Sequence, residues 1–309
     1  MLEKIPHTLR VATEKAAVSV LPMFGKLDKH QADLLAVESM RKSLQEMDLH
    51  IRVVIGEGEK DDAPMLFEGE VLGKEGAFAI DIAVDPLECT TNFAKGLPNS
   101  MSVIAFADRG GLHPIPGTYM EQWLAGPEMK EPFEPEKGIR YNINKLADAI
   151  QKKPAEMLIV VQDRPRHDDM IKELRAMGCG ISLISAGSIS TAMDIFLQTG
   201  IYDAMLGTYG APEGLICAAM AVATGSEMKG LVKPHTPELT KKWSEMGGQE
   251  GVYLDKNKLV HGKHVGLVAT GISGNHFLKG LQQRKDAIHG YTLIISTDGI
   301  GMYNFHHSK

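Results

Sequence analysis

Between Met157 and Thr224, three strand-like apolar runs alternate with helix-like runs, and this alternation most restricts what the chain can fold into. Met157 to Gln162 reads as a strand leading through Arg164-Pro165-Arg166 to a helix from Asp168 to Met177. Ile181 to Ile184 leads through Ser185-Ala186-Gly187-Ser188 to a helix ending near Thr199. Asp203 to Leu206 leads through Gly207 to Glu213 to an apolar helix over 214–224. Successive strand–loop–helix units require parallel strands, because each crossover brings the chain back to the same end of the sheet. Their loops share the carboxyl edge, where open α/β sheets bind ligands. The pattern therefore predicts an edge carrying Arg164, Arg166, Ser188, Gly210 and Glu213.

The upstream half is less regular. Apolar spacing predicts helices over 8–21 and from Ala32 to Met47. Arg52 to Ile55, Phe78 to Val84 and Ser102 to Ala107 read as strands, and Arg109-Gly110-Gly111 as a hairpin turn into a further strand. At 309 residues the chain is long enough for two lobes. The proline- and charge-rich stretch Gly126 to Gly138 marks their boundary, giving an α+β lobe over 1–132 and an α/β lobe over 133–309. His261, His264, His306 and His307 read as surface or tail residues.

Four acidic segments carry the chemistry. The sharpest is Asp81-Ile82-Ala83-Val84-Asp85-Pro86-Leu87-Glu88-Cys89-Thr90, an apolar strand with Asp81 inside it and Asp85 at its end. Proline should break that strand before a helix start, leaving backbone N–H groups around Cys89 and Thr90 for an anion. Carboxylates beside a core are costly unless paired or bound to a cation, and several converging acids call for a hard divalent ion. The alternative is an N-cap with acids favouring the helix dipole. Gly56-Glu57-Gly58-Glu59 is no dinucleotide loop, because Asp61 replaces the third glycine; it reads either as a turn aiming Glu57 at a cation or as a solvated acidic turn. Asp33 and Asp28 both stand where a helix could be capped, Asp28 more so. Glu213 follows Pro212 at another helix start, where dipole compensation is the plainer reading. Arg164 and Arg166 around a proline form a fork suited to phosphate, or else a solvated loop. Together the acids indicate a metal-dependent phosphatase.

Composition excludes other classes. A net charge of −6 without a basic block argues against nucleic acid. Met1 to Pro22 lacks the continuous apolar core of a signal peptide, and the longest strongly apolar stretch, Leu215 to Ala223, is too short to span a bilayer. Cys89, Cys179 and Cys217 are odd in number and widely spaced, which fits a reducing cytoplasm.

Several segments in a fixed order give a likeness to a known family. They are Gly25 to Asp33, Val54 to Met65, Asp81 to Thr90, Tyr119-Met120-Glu121, Arg164 to Asp168, Tyr209 to Gly214 and Ala269 to Ile272. Over roughly residues 8 to 275 the chain resembles the class II fructose-1,6-bisphosphatases of the lithium-sensitive, metal-dependent sugar phosphatase superfamily. The resemblance implies a layered α-β-α-β-α sandwich with an N-terminal α+β lobe and a C-terminal parallel α/β lobe. It implies that Asp33 and Glu57 hold one metal and Asp85, Glu88 and Glu213 another, with Mn2+ or Mg2+ as the ions, two or more per site. Glu88, Cys89, Thr90, Tyr119, Arg164, Pro165, Arg166, Ala186, Gly187, Ser188 and Gly210 would then line the substrate site.

Two departures from the family stand out: Cys89 where glycine is usual, and Ala186-Gly187-Ser188 where Asp-Gly-Asp is usual. The expected reaction is hydrolysis of the 1-phosphate of fructose 1,6-bisphosphate, with Thr90 placing the water and Glu57 or Asp81 accepting the proton. A sedoheptulose 1,7-bisphosphatase, an inositol-monophosphatase-like enzyme and a catalytically weak sugar-phosphate sensor are the competing readings. Partners reduce to the small-molecule sugar bisphosphate and further copies of the chain, as a dimer or tetramer.

Overall fold

A computed structural model describes residues 4–57 and 65–308 and divides the chain into two units, Met1–His113 with Val260–Lys309, and Pro114–Leu259. This corrects the boundary near residue 132. A cut there would separate a strand at Tyr119–Ala125 from both of its sheet neighbours, and it would leave the last fifty residues on the wrong side.

The first unit opens with helices α1 (Ile5–Val20) and α2 (Lys29–Gln45). Strands β1 (His50–Ile55), β2 (Val71–Gly73) and β3 (Ala79–Glu88) follow, then the short helix α3 (Thr90–Ala94) and strand β4 (Met101–Asp108). The second unit runs β5 (Tyr119–Ala125), α4 (Gly138–Ala149), β6 (Leu158–Gln162), α5 (Asp168–Ala176), β7 (Gly180–Ile184) and α6 (Ser188–Phe196). It continues through β8 (Ala204–Gly210), α7 (Ala211–Thr224), β9 (Glu227–Lys233), α8 (Pro237–Glu245), β10 (Leu254–Asp255) and α9 (Lys256–Leu259). The chain then returns to the first unit as β11 (Gly266–Gly271), β12 (Gln282–Gln283), β13 (Ala287–Ser296) and β14 (Gly299–Ser308).

In the first unit the strand order is β12-β13-β11-β4-β3-β1-β2, with β14 paired to β13. Period-2 alternation points Ile51, Val53, Ile80, Ile82, Val84, Ile104 and Phe106 at one face, where Leu9, Ala12 and Ala16 of α1 and Val37, Met40 and Leu44 of α2 cover them. The expected hairpin after Arg109 does not form. Instead Leu112 makes an isolated bridge to Val260, and β4 pairs with β11 of the returning segment.

In the second unit the order is β10-β9-β5-β8-β6-β7. The three strands of the sequence reading are parallel neighbours, β6 lying between β7 and β8. The lobe is nonetheless mixed, because β5 runs antiparallel to both β8 and β9. One sheet face buries Trp123, Ile159, Val161 and Leu206 against Ile143 and Leu146 of α4 and Leu174 of α5. Helix α7 covers the opposite face, where Gly214 sits against Met120 and Gln122. Among the described residues, no helix is long and apolar enough to cross a membrane.

Candidate active site

One group of the expected residues sits where β3 ends, in the first unit. Pro86 does not break that strand: β3 continues to Glu88, with the ladder to β4 shifting register between Asp85, opposite Val103, and Glu88, opposite Met101. Proline has no N–H to give the ladder, so an irregularity is where a strand tolerates it. The kink leaves Asp85 half-buried and Glu88 buried beside the turn into α3.

Cys89 makes that turn with φ 65° and ψ 41°, in the left-handed region. A side chain there costs roughly 1–2 kcal/mol, which glycine avoids, so the backbone itself explains why glycine suits the position. Burial, reinforced by the adjacent Glu88 and Asp85 carboxylates, pushes the Cys89 thiol up to about 12. The Cys89 carbonyl accepts from the Asn92 and Phe93 amides, which starts α3.

The segment before α2 clasps α3. Gly25 N–H donates to Phe93 O, Leu27 N–H to Ala94 O, and Lys29 Nζ to Thr91 Oγ1 at 2.8 Å. Asp28 is the cap of α2, accepting from Gln31 N–H at 3.0 Å. Asp33, one turn on, is therefore not used as the cap, and Thr90 Oγ1 lies 3.3 Å from its Oδ1. The Thr90 hydroxyl also lies 2.9 Å from Leu87 O.

Glu57 is exposed after β1. Gly56 before it is required by close approach, because an added Cβ would come within 1.7 Å of Leu66 O. The rest of that acidic motif, Gly58, Glu59 and Asp61, lies outside the described residues.

Asp81 is corrected. It is fully buried, with Arg52 Nε at 2.9 Å from Oδ1 and Arg52 Nη2 at 2.6 Å from Oδ2. Arg109 Nε lies 3.3 Å from Oδ1, and Gly110 N–H donates to Oδ2 at 2.7 Å. Two guanidinium groups and an amide pin the carboxylate at the far end of β3 from Thr90. That is the pairing a buried charge needs, and it removes Asp81 as a proton acceptor. His264 is likewise no surface residue: its buried ring lies 2.9 Å from Asp108 Oδ1.

The other group lies in the second unit, on the carboxyl edge of its sheet. Arg164 Nη2 donates to Ser185 O at 3.1 Å, reaching the β7–α6 loop. Arg166 Nη2 donates to Thr208 O and to Gln162 Oε1, both at 2.8 Å, and its guanidinium lies over the Tyr119 ring at 5.1 Å. The two arginines, both exposed, thus tie the loop after β6 to its two neighbours. Gly187 takes φ 88° at the start of α6, and its carbonyl accepts from Ser190 and Thr191 hydroxyls. Gly210 precedes α7 with Glu213 folded back upon it, since a Cβ on Gly210 would meet Glu213 Oε2 at 1.8 Å.

Sequence reasoning missed His167. Its buried ring lies 2.7 Å from Gln162 O through Nδ1, and Nε2 accepts from Thr208 N–H at 2.8 Å. The ring is thus a neutral bridge between the arginine loop and β8. Its place beside Arg166 was visible, but its burial was not. Burial lowers its pKa, and Arg166 and Arg164 add to this against the opposing Gln162 carbonyl.

Asp33, Glu57, Asp85, Glu88 and Glu213 offer only hard oxygen donors, a chemistry that fits Mg2+ or Mn2+. Among the described residues, no three or more His, Cys, Asp or Glu side chains are grouped as around an ion.

Comparison with known proteins matches residues 3–307 to the family described as bacterial fructose-1,6-bisphosphatase, glpX-encoded. A protein of Synechococcus elongatus named D-fructose 1,6-bisphosphatase class 2/sedoheptulose 1,7-bisphosphatase is 35% identical, over 92% of this chain and 90% of its own. A protein of the same name from Thermosynechococcus vestitus is 35% identical, over 92% of this chain and 89% of its own. Among solved structures, extragenic suppressor protein suhB from Bartonella henselae aligns with a TM-score of 0.36 at 15% identity, over 62% of this chain and 71% of that one. A match that runs almost from end to end settles the family: this chain belongs to the glpX-encoded bacterial fructose-1,6-bisphosphatases.

Proposed function

We propose that the protein removes the 1-phosphate of fructose 1,6-bisphosphate, giving fructose 6-phosphate and phosphate, with Thr90 as the residue that places the attacking water. The contact between Thr90 Oγ1 and Asp33 Oδ1 carries this reading. The hydroxyl proton is directed to Leu87 O or Asp33, so the Thr90 oxygen keeps lone pairs to accept from a water.

The family is one of metal-dependent phosphatases. The proposed ligands are Asp33 and Glu57 for one ion and Asp85, Glu88 and Glu213 for another, two or more Mn2+ or Mg2+ ions in all. When bound, such ions supply Lewis-acid neutralisation of charge on the phosphoryl oxygens. Glu57, exposed beside the turn, is the proposed proton acceptor. Glu88, Cys89 and Thr90 bind the scissile phosphate. Tyr119, Arg164, Pro165, Arg166, Gly210 and the Ala186-Gly187-Ser188 loop bind the rest of the substrate. Holding the distal phosphate on the arginine fork converts remote binding into orientation of the reacting one.

The relatives' names carry two substrates, which makes sedoheptulose 1,7-bisphosphate the second one to test. Three buried free cysteines support a reducing cytoplasm as the location. A dimer or tetramer is the proposed assembly, as is common among enzymes of this size, and light scattering would decide it. The decisive assay is phosphate release from both bisphosphates with Mn2+, with Mg2+ and with chelator. Metal-dependent release from fructose 1,6-bisphosphate is expected. Release that is unaffected by chelator, or confined to monophosphates, refutes the reading.

A further inference from the structure

Tyr119 carries a guanidinium and an imidazole against its ring, and the arginine fork accounts for only the first. Arg166 lies over its face at 5.1 Å, and the imidazole of His235 packs against it at 5.2 Å with the rings tilted by 55°. His235 is exposed, two residues beyond the end of β9 and just before the Thr236 cap of α8. We propose that His235 is a further binding residue of this site: as an imidazolium it donates from Nε2 to the distal phosphate of the sugar bisphosphate, beside Arg166. The inference rests on the assignment of the arginine fork to that phosphate.

Thr118 fixes the orientation of the ring. Its Oγ1 lies 2.9 Å from Lys233 O and 3.0 Å from His235 Nδ1. A carbonyl oxygen accepts only, so the single Thr118 proton goes to Lys233 O. The Thr118 oxygen must then accept from His235, which places a proton on Nδ1. Nε2 is left as the atom that gains or loses a proton, and losing it turns a donor into an acceptor facing an anion. The ring is held by a hydroxyl that is itself held by the β5–β9 ladder, at the register position where Tyr119 opposes Lys233.

The charged neighbours favour this division of labour. Lys233 is occupied by Glu121, whose carboxylate also takes Tyr253 Oη at 2.6 Å and Trp123 Nε1 at 3.0 Å. Burial works against charge on Glu121, but hydrogen bonds from Lys233, Tyr253 and Trp123 outweigh it and hold the carboxyl below its usual range. Glu121 therefore stays paired with Lys233, and the basic side chains described at the Tyr119 ring are Arg166 and His235. Glu238, in the first turn of α8, is the nearest acid along the His235 segment. Tyr119 serves as a flat, exposed plate against which both side chains pack.

Only a protonated imidazole has the second N–H that an anion requires, so the binding is measured across pH. The test compares KM and kcat for fructose 1,6-bisphosphate between pH 6 and 8.5 in the parent, His235→Ala and His235→Arg, with metal held constant. Inhibition by fructose 6-phosphate, which retains the distal phosphate, is measured alongside. His235→Ala should raise KM and the fructose 6-phosphate inhibition constant roughly tenfold at pH 6, narrowing to about twofold at pH 8.5, with the loss in KM rather than kcat. His235→Arg should keep tight binding at the alkaline end. A ratio of KM values between parent and His235→Ala that does not change with pH overturns the proposal, as does a loss confined to kcat. If Arg166→Ala leaves KM unchanged, the fork assignment fails and this inference with it. A normal fork with an indifferent His235 overturns the inference alone.

Discussion

Thr90 Oγ1 lies 3.3 Å from Asp33 Oδ1, across 57 residues of chain, because the segment ahead of α2 is tied by backbone hydrogen bonds to the end of α3. That contact joins a proposed metal ligand to the residue proposed to place the water. It depends on Asp28, rather than Asp33, taking up the cap of α2.

Replacing Thr90 by alanine removes the hydroxyl but leaves the α3 backbone intact. The kcat should fall about 100-fold or more while KM changes little, and Thr90→Ser should recover most of the loss. Steady-state phosphate release measures both. An alanine variant with parental kcat would end the assignment.

Asp81→Asn separates a structural acid from a catalytic one. The carboxylate is wholly buried between Arg52 and Arg109, so losing its charge should cost about 3 kcal/mol of stability. Both arginines are partly exposed and can turn to water, which places the cost at the low end of such substitutions. Thermal melting should register the loss, with kcat of the folded enzyme within a few-fold of the parent.

Cys89 sits at φ 65°, where side-chain burial and backbone strain oppose each other. Cys89→Gly should leave stability within about 1 kcal/mol of the parent, relief of strain offsetting lost contacts. Cys89→Val should cost roughly 2 kcal/mol or more, since a β-branched residue fits this region worst. Chemical denaturation of the three proteins checks the order; glycine and valine variants of equal stability would contradict it.

His167 makes the second unit sensitive to acid. Its folded pKa is lowered by burial, so its contribution to stability is complete above the unfolded value near 6.5 and is lost as pH falls through the folded value. Protonating Nε2 also removes the acceptor for Thr208 N–H. The melting temperature of the parent should therefore drop more steeply below pH 6 than that of His167→Gln. Parallel curves would show that the imidazole is not the cause.

Much of the second unit was legible in advance. Its parallel strands β6, β7 and β8 follow from three repeated strand–loop–helix patterns, and the loop from Arg164 to Arg166 meets its neighbours at Ser185 and Thr208 on the expected edge. Local patterns suffice there, because β6 and β8 are largely buried apolar runs and β7 repeats the same strand–loop–helix signals at the sheet edge. The first unit was read less completely. The pairing of β4 with β11 joins residues more than 150 positions apart, and no local pattern encodes such a partner. In the sequence Pro86 looks like a strand break, yet its missing N–H is absorbed by a register shift.

Residue types and order by themselves determined the family, the oxygen-donor chemistry and which segments carry polar function in an otherwise apolar frame. The tertiary structure decided where each described carboxylate sits. Asp81 and Asp85 are both aspartates of one strand; one is consumed by two guanidinium groups, and the other lies at the kink beside Glu88 and Cys89. Sequence records which side chains can carry charge. How a buried charge is accommodated depends on what the fold packs against it, because burial is tolerated only where a partner is supplied.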